Sequence, residues 1–156
     1  MGTFPTKILL ATDGSEEATL AAGTAVELAK STGSELHVLH VGEFVATFFA
    51  QTEIEPAQVE RAAHNLLDEQ VKRIEGAGGT VTEAYLRLGR AHHEILALAE
   101  QIGAGVVVVG SRGEGDLSKA LLGSVSESVV RHAHCPVFVV RKEEREEAGL
   151  AEEGFV

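Results

Sequence analysis

Cysteine is nearly missing from this chain: of 156 residues only one, Cys135, is a cysteine. An intramolecular disulfide and a multi-cysteine metal site are therefore both excluded. Basic residues are also few. The 13 Lys and Arg against 24 Asp and Glu leave a formal charge of −11, and a chain so acidic lacks the basic footprint that a nucleic-acid or anionic-membrane surface requires. The N-terminal apolar run, Ile8 to Ala11 behind a single Lys7, is too short for a signal peptide or a membrane span, so a cytoplasmic location is expected. Several chemical signatures are missing as well. The turn after the first apolar run reads Thr12-Asp13-Gly14-Ser15 and not Gly-x-Gly-x-x-Gly, which argues against a dinucleotide or flavin carrier. Neither a Ser-Gly-Gly-x-Asp-Ser loop nor a His-x-Gly-His pair occurs, as an ATP pyrophosphatase or a nucleotidyl transferase would need. No Walker lysine, general base or activated nucleophile stands out.

What the chain does have is a regular alternation. Lys7 to Thr12, Leu36 to Val41, Thr80 to Leu88, Val106 to Val109 and Pro136 to Arg141 read as five strands. Between them lie four helical patterns. Ser15 is placed to cap a helix running to about Lys30, with Glu16 and Glu17 in its first turn, Ala18, Ala21, Ala22, Ala25, Val26 and Ala29 on one face, and Gly33 as its stop. Pro56 to about Ala77, His92 to about Ile102 and Ser124 to about Ala133 are the others. Strands alternating with helices predict an α/β fold built from right-handed βαβ units, with a parallel sheet covered on both faces. The expected architecture is a single doubly wound, five-stranded parallel sheet with four helices, strand order 3-2-1-4-5, spanning residues 1–141. An acidic tail, 142–156, follows with six glutamates.

One stretch carries chemistry. Gly110-Ser111-Arg112-Gly113, then nine residues, then Gly123-Ser124, joins the four-valine strand to the last helix. A helix N-terminus presents unpaired N–H groups and the positive end of the peptide dipole, and so favours an anion. Glycines at 110, 113, 115 and 123 remove β-carbons where a ligand would approach the backbone or where φ would be positive. Ser124 and Ser126 add hydroxyls that also suit helix caps, and Arg112 could clamp phosphate oxygens with its planar fork. In a sheet of order 3-2-1-4-5, ligands bind where the order reverses, so the Asp13 turn and Gly110 would face each other across one crevice, with Val41 beside them.

These residues carry a resemblance. Gly110-x-x-Gly113-x9-Gly123-Ser124, with Ala11-Thr12-Asp13-Gly14-Ser15 after strand one and His40-Val41 ending strand two, resembles the universal stress protein family over residues 4 to 141, and within it the ATP-binding branch. The resemblance implies an adenine nucleotide, ATP or else ADP or AMP, whose phosphates would carry any Mg2+ or Mn2+. It implies Asp13 at the ribose or at a phosphate-bound metal, and Thr12 and the Val41 backbone around adenine. Gly110 and Gly113 would pass under ribose and phosphates with Arg112 nearby, Gly123, Ser124, Val125 and Ser126 would take the phosphates, and Ala11 and Val109 complete the cofactor-binding set. His134 departs from the proline common there in the family. The expected role is a dimeric nucleotide sensor or stress-response regulator with an unidentified downstream protein partner. The alternative is a slow ATPase or another nucleotide-using enzyme of the same architecture.

Other features are read more plainly. The apolar strand Val137 to Val140 at the sheet edge predicts a homodimer through that strand. The patch Phe44 to Phe49 in the segment 42–55 is a candidate lid or partner contact. His37 and His40 should be satisfied core or pocket-edge histidines. His92 and His93, being adjacent, should point to different sides of their helix, and no histidine metal site is expected.

Overall fold

The computed structural model describes residues 6–43, 55–112 and 122–142. Gly113, Gly115, the Phe44 to Phe49 patch and the acidic tail from residue 143 lie outside the described residues. The elements run β1 Lys7–Ala11, α1 Glu16–Thr32, β2 Glu35–Gly42, α2 Pro56–Gly76, β3 Glu83–Leu88, α3 Ala91–Ile102, β4 Val106–Gly110, α4 Ser124–His132 and β5 Val137–Val140. All strand pairs are parallel and the order is β3-β2-β1-β4-β5, as expected.

Strand parity builds the two cores. Alternate residues of a strand face opposite sides, and each side here is covered by helices. Ile8, Leu10, Leu36, Val38, Val106 and Val108 pack with Ala21, Ala25 and Val26 of α1 and with Leu67 and Ile74 of α2. Leu9, Leu39, Val107 and Val109 pack on the other side with Ile95 and Leu98 of α3 and Val129 of α4. That is why β1 and β4 read as unbroken apolar runs. Ile8, Leu9 and Leu10 are all fully buried, each contributing about 1.5–3 kcal/mol over an exposed position. The alanine-rich face of α1 has no bulk to hold it off the sheet. It consequently lies close over β1 and β4, a proximity that matters at the site.

Local signals set most boundaries. The Ser15 hydroxyl accepts the Ala18 N–H at 3.2 Å and caps α1, and Gly33 ends it in the left-handed region at φ 66°. Strand β3 begins later than the expected Thr80. Its pairing with β2 runs only from His37↔Glu83 to Gly42↔Leu88. The residues before it are occupied in crossing from α2: a β-carbon on Gly79 would stand 2.8 Å from both Ile74 Cγ2 and Val26 Cγ2.

Candidate functional site

The turn after β1 is tied down from three directions. Thr12 N–H donates to Leu39 O at 2.9 Å, and Thr12 O accepts from His40 Nδ1 at 2.7 Å. The Thr12 hydroxyl accepts from Gly14 N–H at 3.3 Å and donates to Gln70 Oε1 at 3.4 Å. Gly14 takes φ 81°, which a β-carbon would resist, and Asp13 Oδ1 accepts the Ser15 N–H at 2.9 Å. This sequence of bonds holds the Asp13 carboxylate at the head of α1. His40 is a satisfied core histidine, as is His37, whose Nδ1 lies 2.8 Å from Tyr85 Oη.

The segment after β4 is anchored by Glu17, an acid in the first turn of α1. Glu17 is only 7% exposed, and its carboxylate crosses from α1 to the β4 end. Its Oε2 accepts from Ser111 Oγ and, at 2.7 Å, from Arg112 N–H. Its Oε1 lies 3.3 Å from Arg112 Nε and 3.2 Å from Nη2. Ser111 is the junction: its N–H donates to Val140 O at 2.8 Å, and its carbonyl accepts from Gly123 N–H and Ser126 Oγ, both at 2.6 Å. Both ends of the glycine segment are thereby pinned to one residue. The sequence held a signal for Glu17, because 17, 18, 21, 22 and 25 fall on the one helical stripe that is buried.

Several expectations change in detail. Gly110 and Gly123 do not have positive φ; Gly123 sits at φ −75° and ψ 170°. The missing β-carbon of Gly110 makes room for α1 and not for a ligand, since a β-carbon there would stand 3.0 Å from Glu17 C and 3.1 Å from Ala18 N. Neither serine caps α4: its N-cap is Gly123, with no side-chain cap bond, and Ser126 Oγ is turned back to Ser111 O. The first intrahelical bond of α4 runs from Glu127 N–H to Gly123 O at 2.9 Å, so the N–H groups of 124–126 have no partner within the helix. The planar fork of Arg112 is engaged by Glu17. His92 and His93 do not diverge; their rings lie 4.4 Å apart, centre to centre. Burial first, and then His93, Arg90 and His132, hold the His92 imidazole below its ordinary pKa.

These elements enclose a cavity of about 670 Å³ beyond the carboxyl ends of the strands. Ala11, Thr12, Asp13 and Val41 line it from β1 and β2, and Val109, Gly110 and Arg112 from the end of β4. Gly123, Ser124, Val125 and Ser126 line it from the start of α4. Of the residues expected at one site, the structure brings together all but Gly113, which lies outside the described residues. The sequence reading missed Leu39 and Ile95, which add to the apolar wall. It also missed Glu43, whose carboxylate borders the cavity and accepts from Ala91 N–H at 3.4 Å. An apolar wall, one carboxylate at a helix head and a second helix N-terminus without a side-chain cap together suit a ligand with a flat apolar part, hydroxyls and an anionic end.

Fold and cavity together define a doubly wound α/β domain with its main cavity at the switch point between β1 and β4. The sequence profile of the universal stress protein family matches residues 5–141. The universal stress protein YxiE of Bacillus subtilis is 37% identical over 145 residues, covering 86% of this chain and 98% of YxiE. The chain belongs to the universal stress protein family. Among solved structures, that of MJ0577 is similar at TM-score 0.72 and 30% identity, covering 89% of this chain and 97% of that one. A universal stress protein in complex with cAMP is similar at TM-score 0.70 and 23% identity, covering 88% and 98%, which speaks for the fold alone.

Proposed function

We propose that the cavity between β1 and β4 binds an adenine nucleotide, ATP or a less phosphorylated form. In this reading the protein acts in the cytoplasm as a nucleotide-dependent sensor or regulator in a stress response. The observation that carries this is the convergence on one cavity of the α4 N-terminus, the Asp13 carboxylate and the apolar wall of Val41, Leu39 and Ile95. Phosphates belong at the α4 start, where 124–126 offer N–H groups and the dipole favours negative charge. Asp13 suits a ribose hydroxyl, and the apolar wall suits the base. A cavity of about 670 Å³ accommodates a ligand of this size.

The residues also fit a divalent ion that arrives with the ligand. Among the described residues no group of three or more His, Cys, Asp or Glu could hold a resident metal. Mg2+ or Mn2+ would be held on the phosphates, with Asp13 and the Ser124 hydroxyl as protein oxygens on the same cavity. Bound there, it would offset phosphate charge. Binding is the function assigned. Asp13 Oδ1 accepts the Ser15 N–H at the helix head, which orients the carboxylate at the cavity.

The edge strand supports a homodimer through Val137–Val140. Strand β5 ends the sheet, and Phe138 on it is 46% exposed.

The test is to denature the purified protein and identify released nucleotide by mass spectrometry, followed by calorimetric titration of the stripped protein with ATP, ADP and AMP in Mg2+. Retention or binding of an adenine nucleotide supports the reading. No retained nucleotide and no binding at millimolar concentration would sink it.

A further inference from the structure

Among the described residues, three carboxylates line the cavity. Asp13 stands at the head of α1 and Glu127 in the first turn of α4, whereas Glu43 stands beside the apolar wall of Leu39, Val41 and Ile95. Resting on the adenine-nucleotide reading, we propose that Glu43 sets base identity: its carboxylate accepts from the 6-amino group of adenine and turns away purines that carry an oxygen at that position.

Two observations place the carboxylate. Leu39, Val41 and Glu43 follow at every second position, so they share one face of β2 and its continuation, and all three line the cavity. From the other side of the wall, Ala91 donates its N–H to Glu43 Oε1 at 3.4 Å, and Ile95 follows one helical turn along α3. Glu43 thus joins the two elements between which the base is placed. Its backbone is also held. The preceding carbonyl, that of Gly42, accepts Gly89 N–H at 3.0 Å, and a β-carbon on Gly42 would stand 2.9 Å from Leu88 Cδ2 and 3.2 Å from Ala63 Cβ. Packing against β3 and α2 therefore fixes where the Glu43 side chain starts.

The chemistry of an ionised carboxylate supplies the selectivity. It accepts hydrogen bonds and donates none, and its two oxygens offer about four lone-pair sites, so the Ala91 N–H leaves capacity for a ligand. Adenine has a single donor on its ring system, the 6-amino group, while its ring nitrogens accept; guanine and hypoxanthine carry an accepting oxygen at position 6. Adenine lying on the wall with its amino group toward Glu43 gains a charge-assisted hydrogen bond. A 6-oxo purine in the same pose sets an acceptor against a negative charge, which is selection by repulsion as well as by attraction.

Calorimetric titration of the wild type, Glu43→Gln and Glu43→Ala with Mg-ATP and with Mg-ITP tests this. The two nucleotides carry the same phosphates and sugar, so repulsion between Glu43 and the phosphates cancels in their affinity ratio. The wild type binds ATP about tenfold more tightly than ITP. Glu43→Gln, whose amide can donate to an oxygen as well as accept from an amine, brings the ratio down to about twofold, and Glu43→Ala lowers it as well. A carboxylate that served only the start of α3 would, when removed, lower the urea midpoint or weaken both nucleotides alike, and the ratio would not move. A wild-type ratio below about twofold overturns the proposal, as does a ratio that Glu43→Gln changes by less than about twofold. In either case ATP still binds, and the nucleotide reading survives. A wild type that binds neither nucleotide overturns both.

Discussion

Gly110 and Glu17 are in backbone contact: a β-carbon built on Gly110 would stand 3.0 Å from the carbonyl carbon of Glu17 and 3.1 Å from Glu17 Cβ. Both obstacles belong to a helix that packs on β1, β4 and β5. Gly110→Ala is therefore a packing lesion at the mouth of the site. It should cost about 1–3 kcal/mol of folding stability, read from the urea midpoint of the protein without nucleotide. A variant as stable as the parent would show that α1 gives way easily, and the contact would lose its structural meaning.

Gly123 should behave in the opposite sense. The backbone at φ −75° and ψ 170° is one that any residue adopts, and the position is an N-cap without a side-chain cap. Gly123→Asp supplies the missing cap and so leaves stability unchanged or raises it by up to about 0.5 kcal/mol. The same carboxylate sits where the phosphates are placed, and nucleotide affinity should fall about tenfold or more through like-charge repulsion. Paired urea and calorimetric measurements read the two signs separately. Loss of stability together with affinity, or affinity retained, would count against phosphates at the α4 start.

The contrast between these glycines marks what the sequence made legible. The elements were readable because each has a local cause: Ser15 and Gly33 bracket α1, and Ile8 to Leu10 and Val106 to Val109 are apolar on both faces because both are covered. The convergence of Asp13, Val41 and the α4 start was readable too, once the strands were placed in order. The work done by each residue was not. Glu17 and Ser111 are 94 positions apart, and no spacing rule connects an acid in a first helical turn with a loop beyond the fourth strand. Gly110 and Gly123 look alike in a motif, and only the position of α1 separates a packing glycine from one facing the cavity.

Tyr85 gives a prediction that is clean to measure, being the one tyrosine in a chain without tryptophan. Burial first, and then its 2.8 Å hydrogen bond to Glu83 Oε2, push its pKa up to about 12 from 10.0. A raised folded pKa means that the neutral phenol stabilises the fold in full below the unfolded value. That contribution is lost as pH rises from about 10 through about 12. Tyrosinate absorbance should titrate near 12 in the folded protein and near 10 after denaturation. Glu83→Gln should bring the folded value only part of the way down, because burial remains. A folded titration at the ordinary value would refute the environment described for this side chain.

The two edges of the sheet differ in a way that bears on assembly. Edge strand β3 carries Glu83 and Arg87, charges that discourage pairing with another chain, whereas β5 is Val-Phe-Val-Val. On β5 the side chains are not equivalent: Val139 packs into the core with Val107 and Val109, while Phe138 is 46% exposed. If β5 is the dimer edge, Phe138→Lys should leave the fold intact and produce a monomer, because symmetry sets like charges near each other across a two-fold axis. Val139→Lys should instead destabilise the fold, because it sets a charge against the apolar core around Val107 and Val109. Light scattering at micromolar concentration, with circular dichroism as the folding control, reads both variants. A wild type that is already monomeric, or a Phe138→Lys variant that stays dimeric, would move the interface away from this strand.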